Sequence, residues 1–326
     1  MENAVKRIGV FTSGGDAPGM NAAVRAVVRT CMHRGIECVG IRRGFNGLVN
    51  GDVAPLTFDS VSGLLRRGGT ALYSARSEEF RGEAGQQKAV NTCKLLGLDG
   101  VVGLGGDGTF RGLLELSKHG ISVVGVPCTI DNDIACTTYT IGFDTACNTA
   151  LDSIDKLSDT MQSHERCSVV EVMGRHAGHL ALYVGVACGA TCVLIPEREM
   201  DFEKDVVEPI RRARLSGRTH FMIIVAEGVG SAYDVAAKIK EMTALDTRVT
   251  VLGHVQRGGA PTARDRVTAT YMGYEAVRLL AEGKTNRVVC VQGETYVDFD
   301  ISEGLKMKKG LNEQTYAVMR ALTGVD

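Results

Sequence analysis

The sequence predicts an α/β fold built on two mostly parallel sheets, and three observations predict it. Short β-branched apolar runs recur along the chain, helix-length amphipathic stretches separate them, and glycine is frequent, 40 of 326 residues against 6 prolines. Apolar runs without alternation read as strands buried on both faces, as in a parallel sheet. Strand then helix, repeated at least seven times, calls for right-handed crossovers. The length favours two sheets over one.

Taken in order, the strands are expected at RIGVFT near residue 9, VGI near 40, GVVGLG near 102, SVVGVP near 124, CSVVEVM near 170, FMIIVAE near 224, RVTVLG near 251 and RVVCVQG near 290. The clearest helix covers 144–163, where Ala146, Ala150, Ile154, Leu157 and Met161 recur at spacings of three and four, so one stripe faces a core. In open α/β sheets ligands bind outside the carboxyl ends of the strands. The chemistry is therefore expected in the loops that follow them.

Composition narrows the partners. With 37 basic and 38 acidic residues, a net charge of −1 and no long basic run, nucleic acid is excluded as an expected partner. No run approaches the 18 or so apolar residues of a membrane helix, so no membrane association is expected. The ten cysteines show no C-x-x-C or zinc-knuckle spacing and the start, MENAVKRIG, has no signal-peptide pattern. Reduced thiols in a cytoplasmic protein are the expectation.

Three loops carry the chemical signal. TSGGDAPGMNAAVRAVVR, residues 12–29, places Gly14 and Gly15 where a backbone can approach a ligand, ahead of a helix that begins near Gly19 with its amides directed the same way. That suits a phosphate, although a tight strand-to-helix turn reads the same way. The spacing fits neither the dinucleotide fingerprint nor a P-loop. GLGGDGTF, residues 103–110, sets Asp107 between glycines, with Thr109 as the expected N-cap of the next helix. An aspartate beside a phosphate cradle repels the ligand unless a divalent cation lies between them, which points to Mg²⁺; an ordinary turn is the alternative. In VPCTIDNDI, residues 126–134, an extended Thr129–Asp133 would turn Asp131 and Asp133 to one side. One carboxylate as base and one holding metal or water would suit phosphoryl transfer to an alcohol, and a helix-capping or Asx-turn cluster is the other reading.

Cations gather at strand ends: Arg76 and Arg81 in SARSEEFR, Arg166 and Arg175 around CSVVEVM, and Arg248, His254 and Arg257 around RVTVLG. Arginines beside glycines at such places suit oxyanions. His254 has no second ligand at zinc spacing, so a hydrogen bond to a sugar hydroxyl or phosphate is expected of it.

Together the motifs TSGGDAPGMNAA, GGDGT, TIDNDI, YTIGFDTA, QSHER, VEVMGR and VLGHVQRGG, in that order, resemble those of the bacterial ATP-dependent phosphofructokinases over nearly the whole chain. The resemblance implies two Rossmann-like three-layer αβα domains. A larger one, 1–142 plus 256–305, would bind ATP and Mg²⁺, and a smaller one, 143–255 plus 306–326, would bind fructose 6-phosphate. By motif position it implies Asp131 as base, with Thr129 and Asp133 beside it, and Arg175 against charge developing on the transferred group. Gly15, Arg76, Ser77, Gly106, Asp107, Gly108 and Thr109 would hold ATP, with Asp107 on Mg²⁺. Thr129, Asp131, Arg166, Met173, Gly174, Arg175, Glu227, Arg248, His254 and Arg257 would hold the sugar phosphate. The resemblance further implies a homotetramer in which Arg166 and Arg248 reach a neighbour's site.

Relatives that use pyrophosphate carry an aspartate where this chain has Gly108 and a lysine where it has Cys128. The neutral pair favours ATP, because a carboxylate there would repel the nucleotide's α-phosphate. Arg25, Arg29 and Arg218 match effector-binding positions of the family. Phe58, Asp59, Ser158, Thr191 and Ser216 replace other effector-binding groups, and Phe45 stands for an aromatic near adenine, so altered allosteric control is expected. A dehydrogenase is disfavoured by the glycine spacing, and a catalytically dead sugar-phosphate sensor by the presence of Asp107, Asp131 and Arg175.

Overall fold

The computed structural model describes residues 5–323. Its strands are β1 (Arg7–Thr12), β2 (Glu37–Ile41), β3 (Val53–Leu56), β4 (Gly100–Gly105), β5 (Val123–Pro127), β6 (Cys167–Val172), β7 (Cys192–Leu194), β8 (Phe221–Ala226), β9 (Thr247–Val251), β10 (Arg287–Gln292) and β11 (Thr295–Asp300). The helices are α1 (Met20–His33), α2 (Phe45–Asn50), α3 (Glu83–Leu95), α4 (Asp107–Lys118), α5 (Phe143–Ser163), α6 (His179–Ala187), α7 (Glu208–Leu215), α8 (Ala232–Thr243), α9 (Ala263–Ala281), α10 (Ile301–Gly304) and α11 (Glu313–Thr323). Every apolar run singled out in the sequence forms a strand, and the amphipathic 144–163 stretch is α5.

The chain divides into two compact units. The larger takes the chain up to Ile130, Ile134–Thr145 and Arg257–Lys309; the smaller takes Asp131–Asp133, Ala146–Gln256 and the chain from Gly310. In the larger unit seven strands run in the order β11-β10-β5-β4-β1-β2-β3. The inner pairs are parallel, and β3 and β11 close the two edges antiparallel. β4 and β5 are buried at every residue, which is why they read as unbroken apolar runs. Phe45 at the start of α2 lies 4.8 Å from Phe11 and stacks 4.3 Å from Phe80, inside the main core cluster of this unit. Such pairs add about 0.5–1.5 kcal/mol each beyond burial alone.

From β1 the chain proceeds to β2 on one side, and it returns to place β4 and β5 on the other. The strand order therefore reverses between β1 and β4. That reversal opens a crevice outside the carboxyl ends of these two strands, where doubly wound folds bind ligands.

The smaller unit holds a four-stranded parallel sheet, order β7-β8-β6-β9. β8 is buried throughout and packs with Phe202, Val206, Val207 and Ile210 in that unit's core. β9 is an edge strand, half exposed along its length. Among the described residues, no helix is long and apolar enough to cross a membrane.

Candidate active site

In the larger unit the two glycine loops leave the carboxyl ends of β1 and β4, at the point where the strand order reverses. Ser13 N donates to Leu104 O at 2.9 Å, tying the first loop to the end of β4. Gly14 sits at φ 83, a left-handed conformation that costs glycine little, and its carbonyl accepts from Ser74 Oγ at 2.5 Å. Thr12 Oγ1 donates to Tyr73 O at 2.7 Å. These two bonds bring the Ser74–Ser77 segment to the same strand end, where Arg76 is exposed and Ser77 Oγ accepts from Phe80 N. α1 follows with Gly19 as N-cap at φ 105.

Asp107 is the first residue of α4 and Gly106 is its N-cap. Thr109, expected as the N-cap, lies instead within the first turn, because the helix begins three residues earlier than the sequence suggested. Its hydroxyl is buried without a hydrogen-bond partner. A methyl group built on Gly106 or Gly108 would meet nothing within 4 Å, whereas one on Gly105 would lie 2.5 Å from Ser13 O. The loop thus offers open space at 106–108, helix amides and an unused hydroxyl, the features of an anion cradle. Arg257 is folded onto the first loop: its Nη1 donates to Asp16 O at 3.1 Å, and a methyl group on Gly15 would strike that guanidinium.

The third loop follows β5. Thr129 N donates to Ile141 O at 3.1 Å and Ile141 N to Pro127 O at 3.0 Å. Cys128 is buried, and that burial raises its thiol pKa well above the usual range, with Asp265 adding a smaller push. The extended Thr129–Asp133 that would turn both aspartates to one side does not form. Asn132 adopts φ 50, a turn asparagine tolerates through its short polar side chain. The alternation breaks there, leaving Asp131 buried and Asp133 exposed.

In the smaller unit the residues expected to hold the sugar phosphate divide between the two ends of one sheet. Met173, Gly174 and Arg175 follow β6, Glu227 follows β8 and His254 follows β9, all at carboxyl ends. Glu227 Oε1 accepts from Gly174 N at 3.1 Å and from Arg175 N at 2.6 Å. Arg175 is exposed and held at φ 57, so Glu227 fixes the turn that presents Arg175. Met173 N donates to Gln256 Oε1 at 3.2 Å, and Gln256 is fully buried.

Arg166 precedes β6, and Arg248 is the second residue of β9, beside Ser168 in register. Both belong to the amino end of the sheet. Arg166 Nε donates to Asp246 Oδ2 at 2.7 Å and Arg248 Nη2 to the same oxygen at 3.3 Å. The hydrogen bond from Arg166, followed by the charge of Arg248, holds the Asp246 carboxyl below its ordinary pKa. Asp246 and Gln256 escaped sequence reasoning: Asp246 belongs to no motif, and Gln256 lies within VLGHVQRGG but was passed over for the charged residues on either side.

The matched effector positions are carried by both units. Arg25 and Arg29 lie one turn apart on α1 in the larger unit, with both Nε atoms buried and unpartnered, whereas Arg218 is carried by the smaller unit. Burial and the neighbouring Arg29 lower the pKa of Arg25. The Arg29 guanidinium stacks 3.7 Å over Phe58. Phe45, matched to an adenine-facing aromatic, lies in the core between two phenylalanines instead.

A family model described as Phosphofructokinase matches residues 7–280. The chain is 51% identical over 319 residues to ATP-dependent 6-phosphofructokinases of Clostridium botulinum and Clostridium tetani, covering 98% of this chain and 100% of theirs. The solved phosphofructokinase of Saccharomyces cerevisiae superposes with a TM-score of 0.87 at 36% identity, over 98% of this chain and 47% of the yeast chain, so this chain spans about half its length. A pyrophosphate-dependent phosphofructokinase from Nitrosospira multiformis gives a TM-score of 0.86 over 98% of this chain and 91% of its own, but at 21% identity it shares the fold alone. With the family match running over most of the residues and half of them identical to curated relatives of equal length, the chain belongs to the phosphofructokinase family.

Proposed function

We propose that the chain catalyses transfer of the γ-phosphoryl group of MgATP to the 1-hydroxyl of fructose 6-phosphate, giving fructose 1,6-bisphosphate and ADP. The observation that carries this reading is the 51% identity, over their whole length, to proteins named ATP-dependent 6-phosphofructokinase. In this reading the larger unit binds the nucleotide and the smaller unit binds the sugar phosphate.

Gly15, Arg76, Ser77 and the Gly106–Thr109 turn hold ATP, with the phosphates in the open space before Gly106 and Gly108. Among the described residues, no three His, Cys, Asp or Glu side chains cluster as a metal cage. That fits Mg²⁺, which is commonly held by one or two carboxylates together with substrate phosphates and water. Asp107 is the residue that would hold it, and the ion would neutralise charge on the β- and γ-phosphates. Asp131 accepts the proton of the sugar's 1-hydroxyl, with Thr129 and Asp133 beside it. Arg175 stabilises charge on the transferring group. Gly108 and Cys128 leave the donor site without the added carboxylate and cation of pyrophosphate users.

Met173, Gly174, Glu227, His254 and Arg257 complete the sugar site with Arg166 and Arg248. The six residues of β6 span about 20 Å, so Arg166 and Arg248 at one end of the sheet cannot serve the same phosphate as Arg175 at the other. This separation supports a homotetramer in which these two arginines complete a neighbour's site. Phe58 stacked on Arg29 supports altered control at an effector site of Arg25, Arg29 and Arg218. A cytoplasmic location suits the substrates.

The test is a coupled assay on fructose 6-phosphate with ATP or with pyrophosphate, each with Mg²⁺. Turnover with ATP alone is expected. Turnover with pyrophosphate alone would overturn the donor assignment, and turnover with neither would overturn the reading.

A further inference from the structure

The Asp265 carboxylate is completely buried in the first turn of α9, yet it belongs to none of the loops assigned to substrates. Tyr139 Oη donates to its Oδ1 at 2.5 Å and Gly142 N to the same oxygen at 2.7 Å. Thr145 donates to Oδ2 through its backbone N, at 2.9 Å, and through its hydroxyl. Four donors from one seven-residue segment therefore converge on one carboxylate. A buried carboxylate persists only where hydrogen bonds replace its water, and the placement is specific because each donor must point inward.

That segment is the backing of the β5 end. Ile141 is bonded to Pro127 and Thr129 on both its N–H and its C=O, and Thr140 Oγ1 donates to Thr129 O at 2.7 Å. Gly142 sits at φ 107, where a side chain would lie 2.7 Å from Ala17 Cβ, so the turn is closely packed and leaves no room for one. A second set of bonds locks the same joint. Thr262, the N-cap of α9, takes Asp265 N on its hydroxyl, donates that hydroxyl to Asp144 Oδ2 at 2.7 Å, and donates its own N to Thr145 Oγ1 at 3.0 Å. From α9 to Thr129 the contacts are continuous and lie within the larger unit. Asp131 follows two residues later in the chain.

We infer that Asp265 is a positioning residue for phosphoryl transfer, holding the Tyr139–Thr145 turn so that the β5 end presents Thr129 and the chain leading to Asp131 in the reactive arrangement. It rests on the assignment of Asp131 as the base. It would act on turnover more than on binding, because the ATP loops and the sugar-site arginines are held by other bonds.

Asp265→Asn keeps the shape but turns an amide toward the N–H of Thr145. Tyr139→Phe removes one donor and keeps the ring under the Arg264 guanidinium, 4.2 Å away. Both variants, with Asp131→Ala alongside, are assayed for kcat, for KM of each substrate and for thermal midpoint, at a temperature well below every midpoint. A displacement of about 1 Å at a reacting group costs on the order of 100-fold, so kcat should fall by about that factor in Asp265→Asn and by about 10-fold in Tyr139→Phe, with each KM within about threefold. If Asp265→Asn fails to fold, Tyr139→Phe decides. A lowered midpoint with kcat within twofold in the folded variants, or a loss carried by KM, would overturn the inference. An Asp131→Ala enzyme with unchanged kcat would remove the base assignment and the inference with it, whereas an inactive Asp131→Ala beside a fully active Tyr139→Phe and Asp265→Asn would remove the inference alone.

Discussion

Glu227 offers the sharpest test of how the smaller unit presents Arg175. Its Oε1 is the shared acceptor for Gly174 N and Arg175 N, and Arg175 occupies a left-handed conformation that costs a side-chain-bearing residue about 1–2 kcal/mol. Each bond to a carboxylate is worth about 1.5–3 kcal/mol net. In Glu227→Ala both disappear, but Arg175 is exposed, so water satisfies part of the demand and the turn relaxes. A net loss of about 2–3 kcal/mol remains, or about 30- to 150-fold in rate at 1.36 kcal/mol per tenfold. If Arg175 acts on the transition state, the loss should fall on kcat, measured by coupled assay at saturating ATP and varied fructose 6-phosphate. Glu227→Gln retains the accepting oxygen and should recover most of the rate. Activity of Glu227→Ala within threefold of the parent would refute the positioning argument. A Gln variant as impaired as the Ala variant would show that the negative charge itself, not the turn, is what the reaction needs.

Three further outcomes are expected. Gly108→Asp has room within the chain, since nothing lies within 4 Å of an added Cβ, but at about 5 Å from a phosphate its charge costs about 3 kcal/mol at an effective dielectric of 20; KM for ATP should rise about 100-fold, and an unchanged KM would place the nucleotide elsewhere. Asp246→Asn should raise KM for fructose 6-phosphate several-fold with kcat nearly intact. Because the folded pKa of Asp246 is depressed, its grip on Arg166 and Arg248 is complete above the unfolded carboxylate value of about 3.9 and weakens only as pH falls through the lower folded value, so a pH profile of KM near neutrality should show no inflection removed by the variant. If the proposed tetramer shares its sites between subunits, dilution below the subunit dissociation range should abolish turnover in parallel with the loss of assembly by light scattering, and a fully active monomer would exclude shared sites.

Apart from β9, an edge strand found through its β-branched run, the strands that the sequence revealed are those central to a sheet. The three it did not reveal are β3, β7 and β11. Two of these are antiparallel edges, and β7 is an edge of three residues. A proline in VAPL and alternating aspartates in TYVDFD break the apolar run that marks an inner strand, and edges tolerate both. The glycine loops were legible because they sit directly after strong strands. The geometry of TIDNDI was not, since one left-handed asparagine breaks the alternation and leaves Asp131 buried and Asp133 exposed. Asp265 was hidden for another reason: Thr262 and Asp265 have the spacing of a capping box, which reads as local helix chemistry. The structure instead sends the carboxylate to a segment 120 residues earlier in the chain.

Part of the backbone strain lies beside the proposed site residues. Of the seven non-glycine residues with positive φ among the described residues, Arg175 is itself assigned to a substrate, Asn132 and Glu165 adjoin such residues, and Tyr73 lies three before Arg76, whereas Arg43, Ala244 and Asn286 lie elsewhere. Such conformations persist only where surrounding bonds over-determine them. The surrounding bonds are visible here: Thr12 Oγ1 on Tyr73 O, the Glu165 N–H on Gln162 O at the end of α5, and Glu227 on Arg175 N. Replacement of any of the first four by glycine would relax the backbone without changing the fold's core, while also loosening the loop whose orientation the reaction uses. Stability and turnover are therefore expected to respond differently at these positions, because the bonds that hold the strain lie at the strand ends and the apolar clusters that hold the fold lie beneath them.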